Sequence, residues 1–357
     1  MSQLRGEFPV LGRFAYLNAG TDGPLATSAV RASALELERE AAEGRFQSHF
    51  ERRAELNGAL RNAYAAALGC DAADLALTTC TTDGISQVID GLALAPGDEI
   101  LTSDEEHPGL LGPLAAAREL RGVSIRMAPL AEIAAAVSSA TRLVACSHVG
   151  WTSGRLAPAE LADVEPPVLL DGAQGVGAIA VDVRALGCDA YAGAGQKWMC
   201  GPDGTGMLYV SPALRARLAV SRRGYPTLAD PGAGLDARLH EDSRRFDTLA
   251  LSAETVACAL AGVRVLEQAG WSAIHERARS LAERLAELLA EHGRELAPRG
   301  PTTLVSFVSE DPGAERVRLA EAGVILRDLP GRPWLRASVG AWNDESDLER
   351  LIAALRS

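Results

Sequence analysis

The chain has 357 residues, 47% of them hydrophobic but only 4% aromatic, which is material for two domains with cores built from Ala, Leu and Val. A net charge of −12 with no lysine-rich segment argues against nucleic acid or an anionic membrane surface as partner. The first residues carry no apolar signal core and no stretch reaches the roughly 18 uncharged apolar residues of a spanning helix, so a soluble, cytoplasmic protein is expected.

In chain order, residues from about 26 to 68 read as helix, with Arg and Glu flanking apolar positions such as Leu35, Leu37 and Leu60. Leu75 to Thr78 follows as a strand, then a helix opening near Thr82 and ending before Pro96-Gly97-Asp98. Short strands are predicted at Glu99 to Thr102, Val123 to Met127, Leu143 to Ser147, Val168 to Asp171 and Ala190 to Ala192, several of them separated by helical segments. Strands alternating with helices predict an α/β fold around a mostly parallel sheet covered on both faces. After about residue 250 the pattern changes to two long amphipathic helices, strands at Thr303 to Val308 and Trp334 to Val339, and a final helix from Asp344 capped by Asn343 or Asp344. The expected division is a large domain over residues 16–250 and a smaller α+β domain from 1–15 and 251–357. Gly224 to Leu239, rich in Gly, Pro and Asp, is the candidate for a mobile or partner-contacting loop. Six cysteines at 70, 80, 146, 188, 200 and 258 lack the spacing of a zinc site or a disulfide scaffold, which predicts free thiols and no metal.

Among 35 basic side chains only one is lysine, Lys197. Arginine cannot replace lysine where an uncharged amine must attack a carbonyl, because guanidinium stays protonated. On composition alone an ordinary surface lysine is the competing reading. The surroundings favour catalysis, since Lys197 lies in the small-residue run Gly193-Ala194-Gly195-Gln196-Lys197-Trp198, where backbone can approach a flat ligand. Upstream, Val168 to Leu170 delivers Asp171 at the carboxyl end of a strand, the edge at which open α/β sheets bind ligands. An aspartate there and a lysine on a nearby loop suit pyridoxal 5′-phosphate: the lysine forms a Schiff base and the carboxylate keeps the pyridine nitrogen protonated. Thr81 and Thr82, at the start of a helix, offer hydroxyls and free amides to a phosphate, with an ordinary helix cap as the alternative.

The ordered set Tyr16-Leu17-Asn18-Ala19-Gly20, Asp171-Gly-Ala-Gln174, Gln196-Lys197-Trp198 and Leu335-Arg336-Ala337-Ser338 resembles the class V aminotransferase superfamily of fold-type I pyridoxal-phosphate enzymes. This group holds cysteine desulfurases, cysteine/cystine C–S lyases and isopenicillin-N-epimerase-like proteins, and the resemblance spans nearly the whole chain. It implies the phosphate role for Thr81 and Thr82, with Cys80 where the family often has glycine and Asp83 capping the helix or facing the ring. It implies that His107 stacks on the ring and relays protons, that Gln174 donates to the phenolate oxygen, and that Gln196 sits at the cofactor. It also implies that Arg336 holds the substrate α-carboxylate through a bidentate contact, with Trp151, Asn18 and His148 on the substrate side. A packing role for Trp151 and a surface ion pair for Arg336 are the alternatives.

Two departures from the family matter. Ala194 stands where desulfurases carry a phosphate-binding serine and Gln196 where they carry histidine, so the phosphate cup is expected to be completed by an arginine, or by Thr248 or Ser252 from a second subunit of a homodimer. Fold-type I resemblance implies that dimer, with Gly224 to Ser252 of one chain near the other's cofactor. No cysteine follows Cys258, and Ser309 to Pro333 contains none, which argues against a desulfurase that captures sulfur on a mobile thiolate. Lys197 is expected to act as the base at the substrate α-carbon. The favoured outcome is β-elimination from a sulfur-containing amino acid, with transamination or epimerisation as alternatives. A non-catalytic ligand-binding protein on the same fold is the alternative from another class, opposed by retention of the single lysine. A dinucleotide enzyme is weaker still, because Gly201-Pro-Asp-Gly-Thr-Gly206 precedes a strand instead of following one.

Overall fold

The computed structural model describes residues 2–356. Its strands are β1 (Ala15–Tyr16), β2 (Leu75–Thr78), β3 (Glu99–Ser103), β4 (Ser124–Ala128), β5 (Thr141–Ser147), β6 (Val168–Asp171), β7 (Ala190–Ala194), β8 (Gly206–Val210), β9 (Leu304–Val308), β10 (Val324–Ile325), β11 (Arg327–Asp328) and β12 (Trp334–Ser338). The helices are α1 (Ser2–Gly6), α2 (Thr27–Glu43), α3 (Gln47–Leu68), α4 (Thr81–Gly91), α5 (Pro108–Arg121), α6 (Pro212–Arg215), α7 (Ala253–Ala269), α8 (Trp271–Glu291), α9 (Pro312–Glu321) and α10 (Glu345–Arg356).

Seven strands form one sheet in the order β2-β8-β7-β6-β5-β3-β4, all parallel except β8, which runs antiparallel to both neighbours. The central strands are apolar on both faces because helices cover both. On one side, Leu60, Tyr64 and Leu68 of α3 and Val256 and Val263 of α7 pack with Val144, Leu170 and Tyr191. On the other, Ile85, Val88 and Ile89 of α4 and Leu110 and Leu114 of α5 pack with Ile100, Leu143 and Leu169. The smaller unit is the antiparallel sheet β11-β12-β9, covered by α8, α9 and α10 through Leu285, Leu289, Leu319, Leu348 and Leu351.

Several boundaries move from the sequence expectation. The single helix over 26–68 is two, because Gly44 adopts φ +79° and turns the chain between α2 and α3. The division expected at residue 250 falls before α7, yet that helix shares a buried cluster with α3 and the large sheet. The division expected at residue 16 shifts as well: β1 pairs with β10, and Ala15 and Leu17 are buried in the smaller unit's core. Helix α9 and the two-residue strands β10 and β11 are too short or too polar to give a periodic signal. At the last helix it is Asp344 that caps, its carboxylate accepting from the Ser346 N–H (3.1 Å), whereas Asn343 accepts from Gly340 N–H. Gly224 to Leu239 holds short 3-10 turns with Tyr225 and Leu235 exposed. No helix of the described residues is long and apolar enough to cross a membrane.

Candidate active site

The carboxyl ends of β3, β5, β6 and β7 face one crevice, where a cavity of about 330 Å³ lies against the smaller unit. Cys80, Thr81, Thr82, His107, Trp151, Asp171, Gln174, Ala194, Gln196, Lys197 and Arg336, scattered over more than 250 residues of sequence, all line it.

Asp171 ends β6 and is buried, its Oδ1 accepting the Ala173 N–H at 2.9 Å. Burial pushes its carboxyl above the ordinary value, opposed by the Lys197 ammonium. The same burial pulls Lys197 down to about 8, helped by the positive charges of Arg336 and Arg327 and opposed by Asp171. A lysine so placed keeps a substantial neutral fraction near neutral pH, as a nucleophilic amine requires. Gln174 is fixed by two bonds: its Oε1 accepts from Trp198 Nε1 (3.0 Å), and its Nε2 donates to the Gly20 carbonyl (2.7 Å), which leaves one amide N–H unused. His107 caps α5, its Nδ1 accepting the Gly109 N–H at 3.0 Å, so the proton of the neutral ring sits on Nε2. Burial, with Lys197 and Arg327 nearby, lowers its pKa to about 4 and keeps it neutral.

At one end of the cavity α4 begins with Thr81 after an extended Cys80, and its first amide groups have no intrahelical partners. Among the described residues the Thr81 Oγ1 there, and Gln196 Oε1 of the same cavity lining, are buried without hydrogen-bond partners. An orphaned hydroxyl beside the free N–H groups of a helix N-terminus is what a phosphate would satisfy, each donating to a phosphate oxygen. Asp83 takes no part in this. It accepts from the Thr79 N–H (3.0 Å) and pairs with Arg222 (2.7 Å), so it caps the chain entering α4 and does not face the ring position.

The other end carries the substrate-side candidates. Arg336 is buried on β12, with Nη1 donating to the Trp151 carbonyl at 2.6 Å and Nε without a partner among the described residues. Desolvation, with the neighbouring Arg327, drives its pKa down to about 9, the mark of a cation waiting for an anion. Trp151 serves both readings: it lines the cavity, and its indole meets the His107 ring edge-on at 4.8 Å between centroids. Gly20 explains the Asn18-Ala19-Gly20 run, because a Cβ there would meet Ser338 Oγ at 2.7 Å, Gln174 Oε1 at 2.8 Å and Arg336 Nη2 at 3.0 Å.

Two expected substrate contacts are displaced. Asn18 lies behind the cavity wall, its backbone carbonyl accepting from Thr21 (2.9 Å) and Asp22 (3.2 Å) and so shaping the turn that lines the site. His148 turns inward to the Tyr191 hydroxyl (3.1 Å), and burial lowers its pKa to about 4. Thr248 and Ser252 of the same chain lie in separate surface grooves, Thr248 beside Phe50, Tyr225 and Leu249.

Thr21, Asp22 and Arg327 line the cavity without having been anticipated. Asp22 follows a recognisable turn and was legible in principle. Arg327 sits in a two-residue strand among dozens of arginines and gave no signal. Its only side-chain hydrogen bond among the described residues is a long one to Thr21 Oγ1 (3.5 Å).

Residues 16–351 match the family aminotransferase class-V. The chain is 31% identical to a protein named as a probable cysteine desulfurase from Pseudomonas aeruginosa over 320 residues, covering 79% of this chain and 77% of the relative. It is 30% identical to isopenicillin N epimerase from Streptomyces clavuligerus over 331 residues, covering 83% and 82%. Among solved structures, that of a cystine C–S lyase in complex with its reaction product cysteine persulfide superposes with a TM-score of 0.92 at 28% identity, over 98% of both chains. The same lyase has also been solved with glycine covalently linked to its pyridoxal-phosphate cofactor, again with a TM-score of 0.92.

Proposed function

This chain belongs to the aminotransferase class-V family, and on that footing we propose that it is a C–S lyase releasing sulfur by β-elimination from an α-amino acid with two carboxylates, of the kind cystine represents. It is an enzyme and its cofactor is pyridoxal 5′-phosphate. When bound, the cofactor supplies an electron sink for the negative charge that develops at the substrate α-carbon. Asp171 would hold its ring nitrogen, Gln174 and His107 the ring, and Thr81, Thr82 and the α4 N-terminus its phosphate. Lys197 is the point of covalent attachment and then the base that takes the α-proton. The Cβ–S bond breaks with its electron pair leaving on sulfur, and hydrolysis of the remaining fragment gives pyruvate and ammonia.

The observation that carries this reading is the pair of guanidiniums on the substrate side, Arg336 and Arg327, neither bonded to a carboxylate among the described residues. One carboxylate needs one bidentate arginine; Arg327 makes no salt bridge among the described residues, and Asp22, which shares the cavity, interacts with it only through space, so a second substrate carboxylate has a cation to meet. The similarity to a cystine lyase supports the same substrate class. The absence of cysteine between Ser309 and Pro333 supports release of sulfur with the product instead of its capture on the enzyme.

We also propose a homodimer, in which an exposed apolar patch including Phe50, Tyr225 and Leu249 is covered by a second copy and the Thr248–Ser252 segment lies near the partner's phosphate site. Sedimentation of a monomer that still binds stoichiometric cofactor would refute it.

The deciding experiment incubates the holoenzyme with cystine, cysteine, cysteine sulfoxides and common amino acids while pyruvate, sulfane sulfur and pyridoxamine phosphate are assayed together. Pyruvate and sulfane sulfur in equal amounts from cystine are expected. Pyridoxamine phosphate with a keto acid would mean an aminotransferase. Inversion at the α-carbon without sulfur release would mean an epimerase, the activity named for one relative. Inertness toward every substrate would refute the C–S lyase reading.

A further inference from the structure

The run Asp104-Glu105-Glu106 before His107 places three acids in succession, yet Glu105 and Glu106 are 9% and 6% exposed. Glu106 turns toward the sheet, where it takes the Ser147 N–H (2.9 Å) and Ser147 Oγ (2.6 Å) and also bonds Ser103. Glu105 turns the other way, into the loop that carries Trp151. Its carboxylate accepts the Ser153 hydroxyl, a Cβ at Gly150 would overlap that carboxylate, and Arg155 lies at 3.7 Å on the outer side. Its own N–H donates to Ser103 Oγ at 3.2 Å, which fixes the turn from which His107 departs.

The loop from Gly150 to Gly154 is otherwise held by the smaller unit. Its carbonyls at Trp151, Thr152 and Gly154 accept from Arg336 Nη1 (2.6 Å), Ser306 Oγ (2.5 Å) and Thr302 Oγ1 (2.8 Å). Among the described residues, Ser153 to Glu105 is the one side-chain hydrogen bond that ties this loop to the large domain. We propose that Glu105 is a positioning residue that, through Ser153, locks the Trp151 loop against the His107 turn and thereby fixes which edge of the Arg336 guanidinium faces the substrate.

The reasoning is geometric. The Trp151 carbonyl occupies one N–H of Arg336 and leaves the Nε edge free for a carboxylate. Releasing Ser153 lets the loop follow the smaller unit, so the carbonyl moves, the guanidinium turns with it, and the edge contact between Trp151 and His107 opens. A small displacement of this kind weakens a two-pronged contact without touching the cofactor. The inference rests on the reading of Arg336 as the carboxylate holder.

The test titrates the holoenzymes of Ser153→Ala, Glu105→Met and their double variant with L-cysteine and L-cystine, following cofactor absorbance for binding and pyruvate for turnover. Each single variant is expected to raise KM and the binding constant about tenfold with kcat within about twofold and the unliganded spectrum unchanged. The double variant should be no weaker than the worse single, because both act through one bond. Ser153→Thr and Glu105→Gln keep a donor and an acceptor and should stay within about threefold of the parent. A Ser153→Ala enzyme with unchanged KM, or one whose kcat falls at constant KM, overturns the proposal; if Glu105→Met fails to fold, Ser153→Ala alone decides. Arg336→Lys run alongside separates the two ideas: unchanged binding there defeats the carboxylate reading itself, whereas weakened binding there with an unaffected Ser153→Ala defeats only the role of Glu105.

Discussion

The two ends of the cavity are built by different means. The cofactor end is furnished by strand ends of one sheet: Asp171 closes β6, Lys197 follows β7, His107 follows β3, and Thr81 opens the helix after β2. The substrate end is assembled where the smaller unit meets the large one, from Arg327, Arg336, Trp151 and the turn after Asn18. The first is set by short-range chain geometry, which parallel topology brings to one edge. The second depends on how two domains dock. Chemistry common to a family belongs at the rigid end, and selectivity among substrates at the adjustable one.

The largest effect should come from the cofactor end. Lys197→Ala is expected to lower turnover on the order of 10⁴-fold, as loss of a positioned base and nucleophile does, and to remove the covalent cofactor linkage, read by reducing the holoenzymes with borohydride before denaturation: the parent should keep its cofactor bound and the variant release all of it. A retained covalent adduct would move the attachment elsewhere.

At the substrate end, Arg336→Lys keeps charge but loses the fork, so kcat/KM should fall by about 1.5–3 kcal/mol, roughly ten- to hundredfold, with the cofactor spectrum unchanged. A spectral change would mean that the two ends are not separable in the way their construction implies.

The pH dependence of cofactor loading sharpens the same contrast. With Lys197 at about 8 instead of the ordinary 10.5, the neutral amine is the form lost as pH falls, so the loading rate of stripped protein should rise about tenfold per unit below pH 8 and level off above it. A rate still rising at pH 10 would show that burial does not depress this lysine. Smallest and most selective is Arg327→Ala: about tenfold weaker use of cystine, and less than about threefold for cysteine, which lacks the second carboxylate. Equal losses for both substrates would assign Arg327 a general electrostatic role.

Lys197, Asp171 and Thr81 were singled out because apolar patterning and glycine placement put them at the ends of strands or helices, whereas Gln174 and the role of His107 came from the family motif; all five line the cavity. The mostly parallel sheet was legible for the same reason, while its boundaries shifted where glycine or short polar strands broke the periodicity. Arg336 was legible only through its motif. Other residues could not be placed by pattern. Arg327 looks like any surface arginine, Asn18 and His148 look like site residues but do not line the cavity, and Glu105 stands in an acidic run but is buried. Sequence by itself determined the electron-sink chemistry, since one lysine and one strand-end carboxylate leave few alternatives once the fold is parallel α/β. Only the tertiary structure brought Arg327 into the cavity beside Arg336 and buried Glu105 against the loop of Trp151. Those contacts join residues up to about 300 positions apart, as between Arg327 and Thr21, and their energies depend on burial and orientation, which no local pattern encodes.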